Sequence, residues 1–505
     1  MNTFVLPIVL PIIVAGNLIL GWSFTQIGPG GIPINELVLL LCLAATNIAV
    51  VLAEMRTVVN LTPFLVWWVY CIGRAIFAVP EYGLWALRDA SQAMDSLFLI
   101  AGFTFALKSD NIERLFRWLP TLLVVSTIYI VVGYSFKTQT MALSPHVTTA
   151  NGESIALFGI FNTGGDMLLW AAMYLVITAS GRTASLKVIL AGVLFCYAVM
   201  MFQARTTYLQ LVAMLIVMAF FRRKAVGQLL SFIPLLIIVV VLISTLGLKV
   251  TGRYGTETSL SFLADHIVAI FGISDGTDEA AAAAASGVDE RLQWWTDLYR
   301  KLTADPITLL TGLGFGFPLV PFHGIMGIQV REPHNSLMSV FSRSGLIGLS
   351  AWIWMHVELL SCSVKCFYAS RRLSTWREWQ NCVLVLLTFL VLVLVGAIGE
   401  DNMEKPYFAI PYYLFWGVLV GLSSWERSQA ALPIGTPVFL GRGPLVPPAS
   451  TGIIANSAGS VIEGNNIINY SLASTSTCNR SDEIVRNNTS GPSISPPAAS
   501  NTRGQ

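Results

Sequence analysis

Apolar segments long enough to cross a membrane recur along most of this chain. A helix needs about 20 apolar residues to span a bilayer core, and the hydrophobic pattern predicts twelve such helices. They lie near residues 4–21, 35–53, 61–79, 90–107, 119–136, 156–179, 186–203, 206–221, 227–248, 335–360, 380–398 and 407–424. The pattern therefore predicts an all-α polytopic membrane protein.

The composition agrees with this prediction. The chain is 54% hydrophobic and 11% charged, whereas soluble domains contain about 25% charged residues. Its mean hydropathy is +0.68. The net charge of +2 offers no bulk electrostatic attraction for nucleic acid, so a nucleic-acid partner is not expected.

Basic residues in the short loops orient the predicted helices, because such residues are enriched on the cytoplasmic side. With twelve helices, four basic loops fall on one side, which we predict to be the cytoplasm together with both termini. These loops contain Lys108, Arg114 and Arg117; Arg182 and Lys187; Arg222, Arg223 and Lys224; and Lys365, Arg371, Arg372 and Arg377.

This topology divides the chain into four regions. Residues 1–248 hold predicted helices one to nine, and residues 335–427 hold helices ten to twelve. Between them, residues 249–334 form a large loop on the opposite side. Residues 428–505 are rich in Ser, Thr, Asn, Gly and Pro, and such a segment cannot bury enough apolar surface to fold. We expect it to be a disordered cytoplasmic tail.

Four arginines fall on or near the outer side, where basic residues are usually scarce. They are Arg74, Arg88, Arg205 and Arg291. The structural alternative is that each reaches the membrane interface or pairs with an acid. The candidate acids are Asp89, Asp166 and Glu290. As a set, the guanidinium groups suit a membrane-embedded diphosphate, because arginine binds phosphate bidentately and stays ionised.

His334 lies between Pro333 and Asn335, where the large loop re-enters the membrane. The structural alternative is a polar helix cap, since Asn335 and Ser336 are natural N-cap residues. The functional interpretation is a general base that takes a proton from a sugar hydroxyl near neutral pH.

No motif predicts a metal or a cofactor. The sequence has neither HExxH nor Cys-x-x-Cys. Six of its seven cysteines lie in or beside apolar segments, which indicates packing rather than a disulfide framework. The segment Gly312–Gly316 lacks the Lys-Ser/Thr of a phosphate loop. Its glycines instead favour a tight turn near the bilayer.

In order, these motifs resemble those of the bacterial O-antigen ligases and the Wzy-type O-antigen and exopolysaccharide polymerases. That superfamily has an Arg followed by a Trp, then Gly-x-Gly, then His-Asn, then Gly-x-x-Gly. The matching residues are Arg291 and Trp294, Gly312 and Gly314, His334 and Asn335, and Gly345 and Gly348; Arg88–Asp89 and Arg205 match upstream positions. The similarity covers roughly residues 80–425.

The resemblance implies a metal-independent GT-C-type glycosyltransferase in the bacterial inner membrane, with its active site on the periplasmic face and no cofactor. The donor would be a glycan on undecaprenyl diphosphate, and the acceptor would be a second glycan or lipid A–core. The polysaccharide export machinery is a further expected partner. Arg88, Arg205 and Arg291 would bind the diphosphate, with Arg74 as a weaker candidate. His334, beside Asn335, would activate or orient the acceptor.

Several activities remain open at this point. The long loop and the tail favour a polymerase over a ligase, and transfer of glycan to protein has no dedicated feature. A lipid-linked sugar flippase is the alternative from another class, and it would need charges near the bilayer midplane. Asp166 is the clear mid-helix acid.

Overall fold

The computed structural model divides into two compact units, residues 1–445 and 446–505. In the second unit, Ser460–Glu463 pairs with Asn466–Asn469 as an antiparallel hairpin. The structure describes residues 6–29, 32–149, 152–202, 204–230, 279–320, 322–323, 329–370, 377–430, 460–463 and 466–469, with single helical residues between 231 and 245.

The first unit is predominantly helical where it is described. Two short antiparallel hairpins pair His146–Thr148 with Ser154–Ala156, and Phe322–His323 with Gln329–Val330. The α-helices are α1 (Leu6–Leu20), α2 (Trp22–Thr25), α3 (Ile34–Ala44), α4 (Ile48–Val58), α5 (Thr62–Tyr82), α6 (Leu84–Asp89), α7 (Ser91–Asp95), α8 (Phe98–Ala106), α9 (Ser109–Ser135), α10 (Lys137–Ala142), α11 (Gly164–Ile177), α12 (Ala184–Phe202), α13 (Arg205–Phe221), α14 (Arg223–Leu230), α15 (Glu279–Thr303), α16 (Pro306–Thr311), α17 (Ser336–Ser370), α18 (Arg377–Gly399) and α19 (Pro406–Ala430).

Among the residues that the structure describes, six helices are long and apolar enough to cross a membrane, and the bent pair α3–α4 counts as a seventh if it forms one span. In the same part of the chain, the shorter apolar helices are Pro7–Leu20, Gly164–Ile177 and Thr206–Phe221. The chain is therefore a polytopic, mostly helical membrane protein. The count of twelve spans stays a prediction, and most of the predicted segment 227–248 lies outside the described residues.

Two of the first four predicted spans are interrupted. In place of one helix over residues 35–53, α3 and α4 meet at an angle of 89°. The second helix begins at Asn47, whose side chain accepts a hydrogen bond from the Val50 N–H at 3.4 Å. This N-cap favours a new helix start at that point. The predicted segment 90–107 likewise contains α7 and α8 rather than one continuous helix.

Helix α19 forms the centre of the first unit. Its apolar stretch Pro406–Ser424 is entirely buried inside the protein, and the helix packs against α8, α17 and α18. Glycines allow the backbones of α8 and α19 to approach closely. A Cβ on Gly102 would lie 2.0 Å from the Leu414 carbonyl oxygen, and one on Gly417 would lie 2.1 Å from that of Leu99. Small residues commonly mediate such contacts between membrane helices.

The two predicted non-membrane regions are described only in part. Within the predicted loop 249–334, the described residues form α15, α16 and one hairpin. Within the predicted tail 428–505, they form the end of α19 and the hairpin of the second unit. The expectations of a periplasmic loop and of a disordered tail stay predictions.

Candidate functional site

Helix α15 presents Arg291, Trp294 and Trp295 at i, i+3 and i+4, a spacing that places side chains on one helix face. Arg291 Nη1 donates a 2.8 Å hydrogen bond to the Gly399 carbonyl oxygen, and Nη2 lies 3.3 Å from Glu400 Oε1. Trp295 Nε1 donates to the Pro333 carbonyl oxygen at 2.8 Å. This face of α15 therefore joins the end of α18 to the His334 loop.

His334 reaches the same carboxylate as Arg291. Its Nδ1 lies 3.5 Å from Glu400 Oε2 and 3.5 Å from Asp401 Oδ1, and its ring centroid lies 6.2 Å from that of Trp294. Arg291 and His334, which belong to two different motifs of the ordered set, therefore meet at Glu400.

The backbone of His334 is held in an unusual conformation. Its φ of 52° is the only positive value for a non-glycine residue in the described part of the chain, and such a conformation costs about 1–3 kcal/mol. Asn335 stabilises the loop, since its Nδ2 donates to the Ile398 carbonyl at 2.8 Å and its Oδ1 accepts from the Met338 N–H at 3.0 Å. Asn335 thus caps α17, while its acceptor-side role stays a prediction.

Lys405 completes a group that we call the Glu400 cluster: Arg291, His334, Glu400, Asp401 and Lys405. Lys405 Nζ lies 2.6 Å from Asp401 Oδ1 and 3.7 Å from Glu400 Oε2. The cluster therefore combines three groups that can carry positive charge with two carboxylates. With His334 protonated, it carries a surplus of one positive charge.

Charge pairing sets the protonation states in the cluster. Burial by itself lowers the pKa of His334, but the hydrogen bonds and charges of Asp401 and Glu400 outweigh it and raise the pKa to about 9. Burial raises the pKa of Glu400, whereas the contacts with His334, Lys405 and Arg291 prevail and lower it to about 2. At neutral pH, His334 is therefore an imidazolium whose Nδ1 faces the two carboxylates. This state suits orientation of a substrate better than the predicted role of a general base.

His334, Glu400 and Asp401 also offer three ligand atoms within 4.8 Å of one another, a spacing that could hold a metal ion. Metal binding requires a neutral imidazole and available carboxylates. In the structure, Lys405 and Arg291 pair with the carboxylates of this group. An ion bound here would therefore displace a proton from His334 and compete with both cations for the carboxylates.

A cavity of about 350 Å³ adjoins the Glu400 cluster and is lined in part by Glu400 and Lys405. Its lining also contains Asp166 of α11 and Gln210 of α13. Gln210 Nε2 donates hydrogen bonds to Asp166 Oδ1 and to the Leu392 carbonyl oxygen, the latter at 2.9 Å. This volume lies within the range of about 300–1,000 Å³ that small-molecule sites occupy.

Arg205 begins α13 beside this cavity, since its neighbours Ala204 and Thr206 both line the wall. The side chain of Arg205 lies outside the described residues, so its role in diphosphate binding stays a prediction.

Glycines of the Gly-x-Gly and Gly-x-x-Gly motifs lie together at a break in α17. Gly345 has a φ of 64° and interrupts the helix, and a Cβ at this position would lie 2.3 Å from the Leu310 carbonyl oxygen. The carbonyls of Ser342 and Arg343 accept hydrogen bonds from the Leu313 and Gly314 N–H groups at 2.7 and 3.1 Å. The Gly-x-Gly segment thereby satisfies backbone groups near the break, as a broken membrane helix requires.

Arg74 supports this junction. Its Nη2 donates to the Gly312 carbonyl oxygen at 3.1 Å. The Tyr70 hydroxyl lies 3.1 Å from the carbonyl oxygens of Thr311 and Ser344. The contacts of Arg74 therefore indicate a role in holding the loop in place.

Asp89 is the centre of a second, buried ion cluster. Its Oδ2 accepts from Arg343 Nη1 at 2.6 Å, from Arg331 Nη2 at 3.4 Å and from the Gly316 N–H at 3.0 Å. The Asp89 side chain is fully buried, and both arginine side chains are at most 5% exposed. Removal of one partner from a buried ion pair typically costs about 3–5 kcal/mol. Since Arg331 precedes His334 by three residues, this cluster anchors the His334 loop.

Arg88, next to Asp89, points elsewhere. It is exposed, and its guanidinium carbon lies 4.8 Å from the centre of the Trp85 ring. Arg331 contacts the same ring at 4.3 Å. Of the four predicted arginines, Arg291 is thus the one whose described contacts join it to His334 through a shared carboxylate.

Sequence reasoning missed the carboxylates that organise the site. A signal was present, because the predicted topology places residues 399–406 on the outer side, in a short loop with four charged residues. These are Glu400, Asp401, Glu404 and Lys405. This concentration of charge lies on the same predicted side as Arg291 and His334, which made the loop a candidate part of the site.

Comparison with known proteins adds an independent observation. Residues 189–353 match the Wzy_C family model, which is described as O-antigen ligase. The matched region includes Arg205, Arg291, His334 and Gly345. No curated protein matches the chain. The chain therefore carries a domain of the O-antigen ligase and Wzy-type superfamily, which confirms the resemblance of its motifs and indicates an O-antigen ligase or polymerase type of function.

Proposed function

We propose that the chain is a membrane glycosyltransferase that polymerises undecaprenyl-diphosphate-linked oligosaccharide repeat units at the periplasmic face of the inner membrane. The observation that carries the proposal is the convergence of Arg291 and His334 on Glu400 beside a cavity. The matched family supports lipid-linked glycan substrates. The twelve-span, GT-C-type architecture and the cytoplasmic termini belong to the same proposal.

In this reaction, an acceptor hydroxyl oxygen forms a bond to the anomeric carbon of the donor sugar. The bond between that carbon and the diphosphate oxygen breaks, and undecaprenyl diphosphate leaves with the bonding electrons. The hydroxyl proton passes to the diphosphate or to solvent. Because the leaving group is already activated, the protein must chiefly position the reactants and stabilise the developing negative charge.

Arg291 is suited to stabilise this charge. Its guanidinium group has five N–H donors, and its recorded bonds to Gly399 and Glu400 occupy two of them. Its side chain is 34% exposed, so the remaining donors can reach a ligand. The surplus positive charge of the Glu400 cluster further favours a diphosphate.

His334 has a different role in this proposal. As an imidazolium, it donates a hydrogen bond that orients the acceptor or the departing diphosphate oxygen. No step in this scheme requires a metal ion, so we propose a metal-independent reaction.

The second candidate function is transfer of the glycan to lipid A–core. The description of the matched family as O-antigen ligase favours this candidate. Both activities use the same donor and leaving group, so the Glu400 cluster serves either one. They differ only in the acceptor.

The glycans of a deletion strain test the proposal. Single repeat units that still reach lipid A–core would identify a polymerase, whereas full-length chains that accumulate on undecaprenyl diphosphate would identify a ligase. The wild-type gene should restore the normal glycan, and a His334→Ala gene should not. An unaltered glycan in the deletion strain would contradict both candidates.

A further inference from the structure

We propose that the cavity beside the Glu400 cluster is a saccharide subsite in which Asp166 and Gln210 bind the hydroxyl groups of one sugar ring and determine which sugar is accepted. This inference rests on the proposed glycosyl transfer. The ring belongs to the donor or to the acceptor, and both have the same hydroxyl chemistry.

The polar wall of the cavity is arranged to accept hydrogen bonds. Gln210 is 2% exposed, and its amide nitrogen donates to Asp166 Oδ1 and to the Leu392 carbonyl. These bonds use both N–H donors of the amide and fix the orientation of the carboxylate. The second carboxylate oxygen of Asp166 and the amide oxygen of Gln210 are left as acceptors, which is what a sugar hydroxyl requires.

The apolar wall consists of aromatic rings. These are Tyr134, Phe161, Phe202, Tyr407 and Phe408. The Tyr134 ring centroid lies 4.9 Å from that of Phe202 and 5.6 Å from that of Phe161, so three of the rings contact one another. Aromatic rings together with a few fixed polar groups suit a pyranose ring, which has C–H faces and hydroxyl edges.

The charge of the cavity lining indicates whether the cavity is suited to a sugar or to a diphosphate. Among the lining side chains that the structure describes, two cationic residues, Lys137 and Lys405, are balanced by two acidic residues, Asp166 and Glu400. A diphosphate would favour a surplus of positive charge, whereas a neutral polyhydroxylated ring does not need one. Because Glu400 also contacts Arg291 and His334, a ring in this cavity would lie next to the group that binds the diphosphate.

Transfer kinetics with single-hydroxyl analogues test the subsite. The full-length protein in lipid nanodiscs would receive undecaprenyl-diphosphate-linked repeat units that lack one hydroxyl. In one arm the deoxy position lies on the reducing-end ring, which the donor transfers. In the other arm it lies on the non-reducing-end ring, which accepts. In one of the two arms, we expect the kcat/KM of the wild type for the intact substrate to exceed that for the deoxy substrate by about tenfold or more. This is the factor expected for one hydrogen bond to a charged group.

Asp166→Asn and Gln210→Leu should each reduce this preference to about twofold or less. Asp297→Asn is the matched control, because Asp297 is exposed on α15, and it should retain the full preference. A ratio of kcat/KM values does not depend on the folded fraction of the protein. If the cavity variants slow all substrates equally and retain the preference, the saccharide subsite is wrong.

Binding separates the subsite from the proposed function. The affinity of the His334→Ala protein for each member of the same panel can be measured by titration. This measurement needs no turnover. A preference for the intact ring that disappears with an added Asp166→Asn change would support the subsite even if the wild type transferred no glycan. Equal affinities for all panel members would overturn the subsite, whether or not transfer occurs.

Discussion

At the scale of single residues, Glu400 organises the candidate site. One oxygen contacts Arg291, and the other contacts His334 and Lys405. This arrangement keeps Glu400 ionised and His334 protonated. A diphosphate that arrives beside His334 would meet a cation, which favours a donor role for this residue.

The pH dependence of transfer distinguishes a donor from a base. The pKa of His334 is raised from 6.5 to about 9, so the imidazolium form persists through neutral pH and is lost as the pH rises through about 9. We expect kcat/KM to fall above that pH. Glu400→Gln removes one of the two carboxylates and should move this fall to lower pH. Activity that instead rises up to pH 9 would indicate that neutral His334 acts as a general base.

Arg291→Lys tests the geometry of diphosphate binding. Lysine keeps the charge but cannot reproduce the fork of a guanidinium, so we expect kcat/KM to fall by about 10- to 100-fold, as for one charged hydrogen bond. Arg300→Lys is the matched control, since Arg300 lies on the same helix with its side chain 76% exposed, and it should leave the rate unchanged. Full activity of Arg291→Lys would make Arg291 structural.

At the scale of elements, the site depends on a broken helix. The segment Gly312–Gly316 bonds to the backbone near the Gly345 break in α17, and the buried Asp89 cluster fixes the residues just before His334. The face of α15 then closes the site from the other side. These three contacts explain why the Arg-Trp, Gly-x-Gly, His-Asn and Gly-x-x-Gly motifs occur together.

Gly345→Ala tests the break in α17. Gly345 has a φ of 64° and lies next to the Leu310 carbonyl oxygen. A Cβ at this position should therefore lower the free energy of unfolding by about 2 kcal/mol or more. Gly73→Ala in α5 is the control, because a Cβ there meets nothing within 4 Å. Thermal unfolding in detergent micelles measures both. Equal stability of the two variants would contradict the proposed backbone contact.

The sequence predicted elements better than it predicted their interruptions. Apolar length alone located the helices that became α5, α17, α18 and α19. It did not reveal the bend between α3 and α4, because a single cap such as Asn47 hardly changes hydropathy. Arg291 and His334 could be singled out as candidates because they belong to an ordered set of motifs. The pairing of Asp89 with Arg331 and Arg343 could not be found, since it joins distant segments and leaves no local pattern.

At the scale of the whole molecule, the described apolar helices hold the Glu400 cluster and the cavity that adjoins it. The buried helix α19 fixes the centre of the first unit, and the charged loop between α18 and α19 supplies Glu400, Asp401 and Lys405. This arrangement is suited to a reaction that needs electrostatic stabilisation and a positioned sugar.

A chelator tests the proposal of a metal-independent reaction. Since Lys405 and Arg291 already pair with the carboxylates that could bind an ion, EDTA should leave the transfer rate of the purified protein unchanged. Loss of activity that returns with added divalent metal would instead assign His334, Glu400 and Asp401 to a metal centre.

The most direct test of the central claim is release of undecaprenyl diphosphate by the purified protein. Nanodiscs that contain the protein and undecaprenyl-diphosphate-linked repeat units should release this lipid in step with the lengthening of the glycan. His334→Ala and Arg291→Ala proteins, inserted equally well, should release little or none. Wild-type protein that moves the lipid-linked glycan across the bilayer without releasing undecaprenyl diphosphate would contradict glycosyl transfer.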